Sequence, residues 1–317
     1  MMKGILIGAG AAVGLTAAAL GGLGWYFCEK FLKRNEDPFK DDELADENYT
    51  KGYGREYEAG VRWNEQAPFE EMTLTARDGA KLIGGFLPAE GEAKRAVLIS
   101  HGWHSTWQKD FAGIVQYYHE HGAHVLAIEQ RGQRRSGGAY ITMGVLESGD
   151  VAEWAALLAE RVGSDIPIYL HGISMGATTV LMAHGETLPA NVKGIIADCG
   201  FTSPWDISRA CLKNWFNLPR YPFMSAIRAM TRLLAGYDMK GKSTLEILRT
   251  ARIPTLFIHG TKDDFVPPHM TIHNYQVCSA PKRLCLVDDA SHAFSWYFDN
   301  EKYISALESF FAELEEN

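Results

Sequence analysis

Short runs of consecutive apolar residues recur along this chain, separated by longer stretches in which apolar side chains return at helical spacing. The runs are Ala96 to Ser100, Val125 to Ile128, Ile168 to Leu170, Val192 to Ala197, Thr255 to His259 and Leu284 to Val287. The helical stretches fall near Phe111 to His121, Leu146 to Val162, Ala177 to Leu188 and Tyr303 to Leu314. A strand with no polar alternation is buried on both faces, so the pattern predicts an α/β domain: a mostly parallel sheet with helices on both sides. The entry to this domain differs. Met72, Leu74 and Ala76 alternate with polar residues, Asp78-Gly79 makes a turn, and Leu82 and Phe86 follow, which reads as a β-hairpin. Ligands of such sheets bind beyond the carboxyl ends of the strands.

One interval breaks the rhythm. Between Ser203 and about Thr250 the chain supplies helices and prolines but no strand, with Trp205, Trp215, Phe216, Tyr221, Phe223 and Met224 among its residues. This is expected to be a helical lid inserted over the site at about 203–250. The N-terminus departs from the rest in another way: from Gly4 to Cys28 there is no charged residue over 25 positions. A run of that length is enough to span a bilayer as a helix. Trp25, Tyr26 and Phe27, then Lys30, Lys33 and Arg34, resemble an aromatic belt with a basic flank, so a retained membrane anchor over 1–34 is favoured over a cleaved signal peptide. The positive flank places the catalytic domain on the cytoplasmic side of a single-pass protein. Residues 35–66, acidic and polar, read as a linker carrying one surface helix, and 67–317 as the catalytic domain.

A length of 317 residues, 46% hydrophobic and 22% charged, suits one sizeable core. The net charge of −8 offers no basic face for a phosphate backbone, so no nucleic-acid partner is expected. The five cysteines form an odd set without CxxC spacing, as buried apolar residues of a reducing compartment do, with Cys278 to Cys285 the one pairing left open.

The chemistry concentrates in a few places. Gly172-Ile173-Ser174-Met175-Gly176 follows an apolar strand and precedes a helix, the setting in which G-x-S-x-G holds a serine on a strained turn. Gly172 and Gly176 are required there because a side chain would collide with neighbouring backbone. A serine hydroxyl needs a base, and the base needs an acid to fix its tautomer. Asp263, just past the strand ending in His259-Gly260, and His292, after the next strand, complete the order Ser, Asp, His. Asp264 and Asp198 are the neighbouring alternatives for the acid. An oxyanion formed at Ser174 also needs backbone N–H donors. Met175 follows the nucleophile, and Trp103 stands in His101-Gly102-Trp103 after the first parallel strand, so these two are the candidates.

No metal site is expected. His119, Glu120, His121 and His124 miss the H-E-x-x-H spacing, and Gly122 interrupts the helix such a site needs. No cofactor is expected either, because no nucleotide fingerprint or phosphate-cradling loop is present.

These motifs resemble the α/β-hydrolase superfamily over roughly residues 67 to 317, in particular bacterial membrane-anchored hydrolases of the Bem46-like and serine aminopeptidase-like groups. The carriers are His101-Gly102, Glu129 to Gly138, Gly172 to Gly176, Asp198 to Phe201, His259-Gly260 with Asp263 and Val266-Pro267, and Ser291-His292. The resemblance implies a metal-free acyl-enzyme mechanism on carboxylic esters, thioesters or amides. Two positions depart from it: where the family's loop reads D-x-R-G-x-G-x-S-G, this chain has Glu129 for the aspartate and Arg134 for the second glycine. The expected function is a serine hydrolase cleaving carboxylic esters with apolar acyl groups. The alternatives are a peptidase, amidase or thioesterase on the same triad, or a catalytically silent binding protein on the same fold. The sequence leaves the oligomeric state open.

Overall fold

The computed structural model describes residues 18–34 and 52–315. Eight strands form one sheet: β1 (Glu70–Thr75), β2 (Lys81–Leu87), β3 (Arg95–Ser100), β4 (Ala123–Ile128), β5 (Ile168–Ile173), β6 (Val192–Asp198), β7 (Thr255–Gly260) and β8 (Lys282–Val287). Their spatial order is β1-β2-β4-β3-β5-β6-β7-β8. The hairpin pairs antiparallel, Met72 opposite Gly84 and Leu74 opposite Leu82, and β2 runs antiparallel to β4. From β4 to β8 every pairing is parallel.

The uninterrupted apolar runs have a direct physical reason. Side chains alternate faces along a strand. In β3, Val97 and Ile99 enter one core cluster, with Phe111, Tyr118, Phe310 and Phe311, while Ala96 and Leu98 enter the other, with Trp154, Leu158, Val180 and Leu181. In β4, Val125 and Ala127 split from Leu126 and Ile128 in the same way. Both faces are dry, so the middles of these strands are apolar.

The insertion between β6 and β7 is helical, as its sequence predicts. Its first helix, Pro204–Phe216, begins where the Ser203 hydroxyl accepts from the Asp206 N–H with Pro204 in the first turn, and ends at Asn217 in a left-handed conformation. A third apolar cluster forms beneath it from Met175, Phe201, Trp205, Ile207, Met224 and Ile227.

Where it is described, the N-terminal region packs against the rest of the chain. No helix among the described residues is long and apolar enough to cross a membrane. The uncharged run Gly4 to Cys28 falls largely on 1–17, outside the described residues; its later part, a helix over 18–27, lies against the lid. A Cβ on Gly24 would sit 2.7 Å from the Ala226 carbonyl oxygen. Cys28 and Leu32 are buried in the third cluster, and the Ile141 N–H donates to the Leu32 carbonyl at 2.7 Å. The end of the run is therefore part of the folded body. The helix expected in the linker, Gly54–Gln66, is likewise docked: the Asn64 amide donates to the carbonyls of Gln108 and Phe111, and a Cβ on Gly60 would lie 2.5 Å from the Gly113 nitrogen. Packing thus begins upstream of residue 67. All five cysteines are free.

Candidate active site

Ser174 sits between β5 and the helix Met175–Met182 with φ 57° and ψ −117°, a conformation that side-chain-bearing residues rarely adopt. The flanking glycines permit it. A Cβ on Gly172 would lie 2.1 Å from the Gly176 oxygen, and one on Gly176 would lie 1.8 Å from the Ser100 oxygen. Neither contact can be relieved, because both partners are backbone. The Ser174 N–H donates to the Asp198 carbonyl at 2.8 Å and fixes the turn.

The structure brings Ser174, His292 and Asp263 together. The Ser174 hydroxyl lies 2.9 Å from His292 Nε2, and His292 Nδ1 lies 2.7 Å from Asp263 Oδ2. Asp263 Oδ1 accepts from the N–H groups of Phe265 and Val266 at 2.9 and 2.8 Å, which orients the carboxylate. His259 Nε2 lies 3.0 Å from Asp263 Oδ2 and from the Val266 carbonyl. With two acceptors before it, that nitrogen carries a proton. Burial works to raise the Asp263 pKa, but the His292 and His259 imidazoles outweigh it and hold the carboxyl well below its usual range. At His292 burial disfavours the charged form, and the carboxylate of Asp263, aided by the fields of Asp110 and Asp198, raises its pKa nonetheless. Asp264 is exposed. Asp198 lies near His292 but is engaged elsewhere, accepting from Tyr303 at 3.2 Å and from Ser295 at 3.5 Å, and burial pushes its pKa up to about 6.

The loop after β3 lies against Ser174: a Cβ on Gly102 would be 3.4 Å from Ser174 Cβ. Trp103 of this loop lines the same cavity as Ser174. Asp110, a residue the sequence did not single out, holds the loop. Its part-buried carboxylate accepts from the Gly102 N–H at 2.5 Å and from the Ser105 hydroxyl at 2.5 Å. His101 ties the same loop to its neighbour, with Nδ1 donating to the Gly102 carbonyl and Nε2 accepting from the Gln130 N–H. Burial lowers the pKa of His101 to about 4, which keeps it neutral in this bridging form. In the adjoining loop Arg134 has φ 47°, so it takes the left-handed conformation that the family's glycine would supply. Arg131 secures this loop by a paired contact with Asp150 at 2.6 Å.

A cavity of about 40 Å3 opens beside Ser174. Its lining is aromatic and aliphatic; the polar side chains in it are Ser174 and Ser208, and no charged residue contributes among those described. Phe27, Phe31 and Leu32 from the N-terminal segment line it beside Trp103 of the β3 loop and Trp215 of the lid. No sequence signal marks residues so far from the motifs as reaching the site. Cys199, Asp263 and His292 present atoms within 4.8 Å of one another. Both nitrogens of His292 already face protein partners there. His119 and His121 bond backbone carbonyls, and His124 accepts from the Ala89 N–H.

An eight-stranded, mostly parallel sheet that carries a strained serine at the elbow after its central strand is the architecture of the α/β hydrolases. Residues 91–220 match the family model described as serine aminopeptidase, S33. The uncharacterized protein YqkD of Bacillus subtilis is 27% identical over 249 residues, covering 76% of this chain and 80% of that protein. Caffeoylshikimate esterase of Arabidopsis thaliana is 30% identical over 140 residues, 43% of this chain and 40% of that one. Among solved structures, an esterase of Pyrococcus furiosus superposes with a TM-score of 0.65 at 21% identity, covering 80% of this chain and 93% of that one. The chain has the α/β-hydrolase fold.

Proposed function

We propose that this protein is a serine esterase acting on carboxylic esters with apolar acyl groups. The observation that carries the reading is the continuous hydrogen-bonded chain Ser174–His292–Asp263, at 2.9 and 2.7 Å, opening into a pocket that no charged residue lines among those described. Ser174 Oγ attacks the ester carbonyl carbon while its proton passes to His292 Nε2. The N–H groups of Trp103 and Met175 receive the oxyanion. The tetrahedral intermediate expels the alcohol, which takes the proton from His292, and leaves an acyl-serine. Water, deprotonated by His292, then releases the acid and restores the hydroxyl.

The match to a serine aminopeptidase model favours a second reading, hydrolysis of aminoacyl amides. A free substrate amine is cationic at neutral pH and needs a carboxylate to meet it. The pocket lining among the described residues contains none, which supports the ester. Assay of the full chain against p-nitrophenyl esters and aminoacyl p-nitroanilides separates the two. Turnover of esters that Ser174→Ala abolishes is the expected result; turnover of the amides alone would overturn it.

A further inference from the structure

The N-terminal segment leading out of the helix over 18–27 does not pass the catalytic body as a free strap. Leu32 is fully buried, and its carbonyl accepts from the Ile141 N–H at 2.7 Å. Lys33 forms an antiparallel bridge with Tyr140, the Arg34 N–H donates to the Ala139 carbonyl at 2.9 Å, and the Arg34 guanidinium donates to the Arg134 carbonyl at 2.6 Å. Three consecutive residues are thus clamped to one loop. That clamp presents Phe31 to the site. Its carbonyl accepts from the indole N–H of Trp103 at 2.6 Å, and its ring lies 6.0 Å from Trp103, 6.4 Å from Trp215 and 5.1 Å from Phe27. The strap, the β3 loop and the lid meet on this one ring.

The consequence is a small pocket. The 40 Å3 left beside Ser174 is far below the roughly 300 Å3 at which sites that enclose a drug-sized ligand begin. We propose that the segment 27–34 is a fixed wall of the acyl pocket, and that the Phe31 side chain sets the length of acyl group Ser174 accepts, restricting it to short chains. The inference rests on the esterase reading and names its substrate class. Phe31 is a specificity-determining residue and takes no part in the bond changes. Truncating it opens the wall toward Phe27 and Trp215 without touching the clamp, because every hydrogen bond the strap makes there uses backbone or Arg34.

The test compares the full-length protein with Phe31→Ala and Phe31→Trp on p-nitrophenyl acetate, butyrate, hexanoate and octanoate in one detergent, reading kcat/KM at each length. Each further buried methylene favours the longer ester roughly fourfold. Wild type should fall off beyond butyrate, and Phe31→Ala should raise the octanoate-to-acetate ratio by about tenfold or more. Phe31→Trp, which keeps an aromatic ring and so protects the fold, should lower the hexanoate-to-acetate ratio. A merely structural role would depress all four esters together. Ratios within twofold of wild type in both variants, or in Phe31→Trp alone should Phe31→Ala not fold, overturn the inference. Labelling of Ser174 with ethyl and octyl fluorophosphonates reads the same wall without ester turnover. If no ester is cleaved yet Phe31 still controls which phosphonate reacts, the esterase reading fails while the wall stands. If esters are cleaved and the phosphonate preference ignores Phe31, the reverse holds.

Discussion

Replacing Asp263 by asparagine tests the site where its geometry is most constrained. The carboxylate has two differentiated oxygens: Oδ1 faces the N–H donors of Phe265 and Val266, and Oδ2 faces His292 Nδ1 and His259 Nε2. An asparagine here must keep its oxygen toward the two backbone donors, since turning its NH2 toward them would set donor against donor. The NH2 then meets His292 Nδ1, which must give up its proton and accept. The imidazole is left in the other tautomer, with Nε2–H donating to Ser174 and unable to take its proton. In the serine-protease template the same tautomer error costs about 10⁴ in kcat, which is roughly 5 kcal/mol of transition-state stabilisation. We therefore expect Asp263→Asn to lose at least about a hundredfold in kcat, with KM changed far less and the circular dichroism spectrum retained. Asp264→Asn, on an exposed side chain, and Asp198→Asn, whose partners are Tyr303 and Ser295, should keep most activity. A crippled Asp198→Asn beside an active, folded Asp263→Asn would refute the reasoning.

The remaining predictions concern pH, the β3 loop and the N-terminal strap. His292 works as a base only when neutral and its pKa is raised, so kcat/KM should rise with pH through a limb above that of an ordinary imidazole, read from a pH–rate profile. In stability the signs are opposite. The His292 contribution is full below the unfolded-state pKa and lost as pH rises through the folded one; the Asp263 contribution is present above the ordinary carboxylate range and lost as pH falls through its depressed value, which thermal melts of wild type and Asp263→Asn would resolve. Asp110→Ala should free the Gly102–Ser105 turn and lower kcat by about tenfold to a hundredfold, less than the ~10²–10³ for outright loss of an oxyanion donor, with Asp110→Asn restoring much of it. A chain lacking residues 1–34 should melt well below one lacking 1–17, because Cys28 and Leu32 leave the lid core and a buried Leu alone contributes about 1.5–3 kcal/mol; equal melting temperatures would show that the strap carries no packing energy.

The sequence determined the sheet and the candidate triad, for local reasons. Strands buried on both faces are apolar through their middles, so the inner parallel strands are legible as uninterrupted apolar runs. The elbow at Ser174 demands glycine at 172 and 176 through backbone collisions that no packing elsewhere can relieve. Asp263 and His292 were legible because each sits in the turn just after a strand, where the chain order of the fold constrains them. The tertiary structure alone decided what closes the site. Asp110 has no motif; it matters because a short helical turn swings its carboxylate back onto the Gly102 N–H eight residues upstream. Arg134 stands where the family's pattern has glycine, and only its positive φ shows that the loop keeps its path. Phe31 stands outside the uncharged run, after Glu29 and Lys30, and no motif marks it. Its place in the pocket depends on the Phe31 carbonyl meeting the Trp103 indole N–H and the Leu32 carbonyl meeting the Ile141 N–H; the strap's acceptors are backbone groups, identical along the chain, so the sequence carries no mark of which of them will be met.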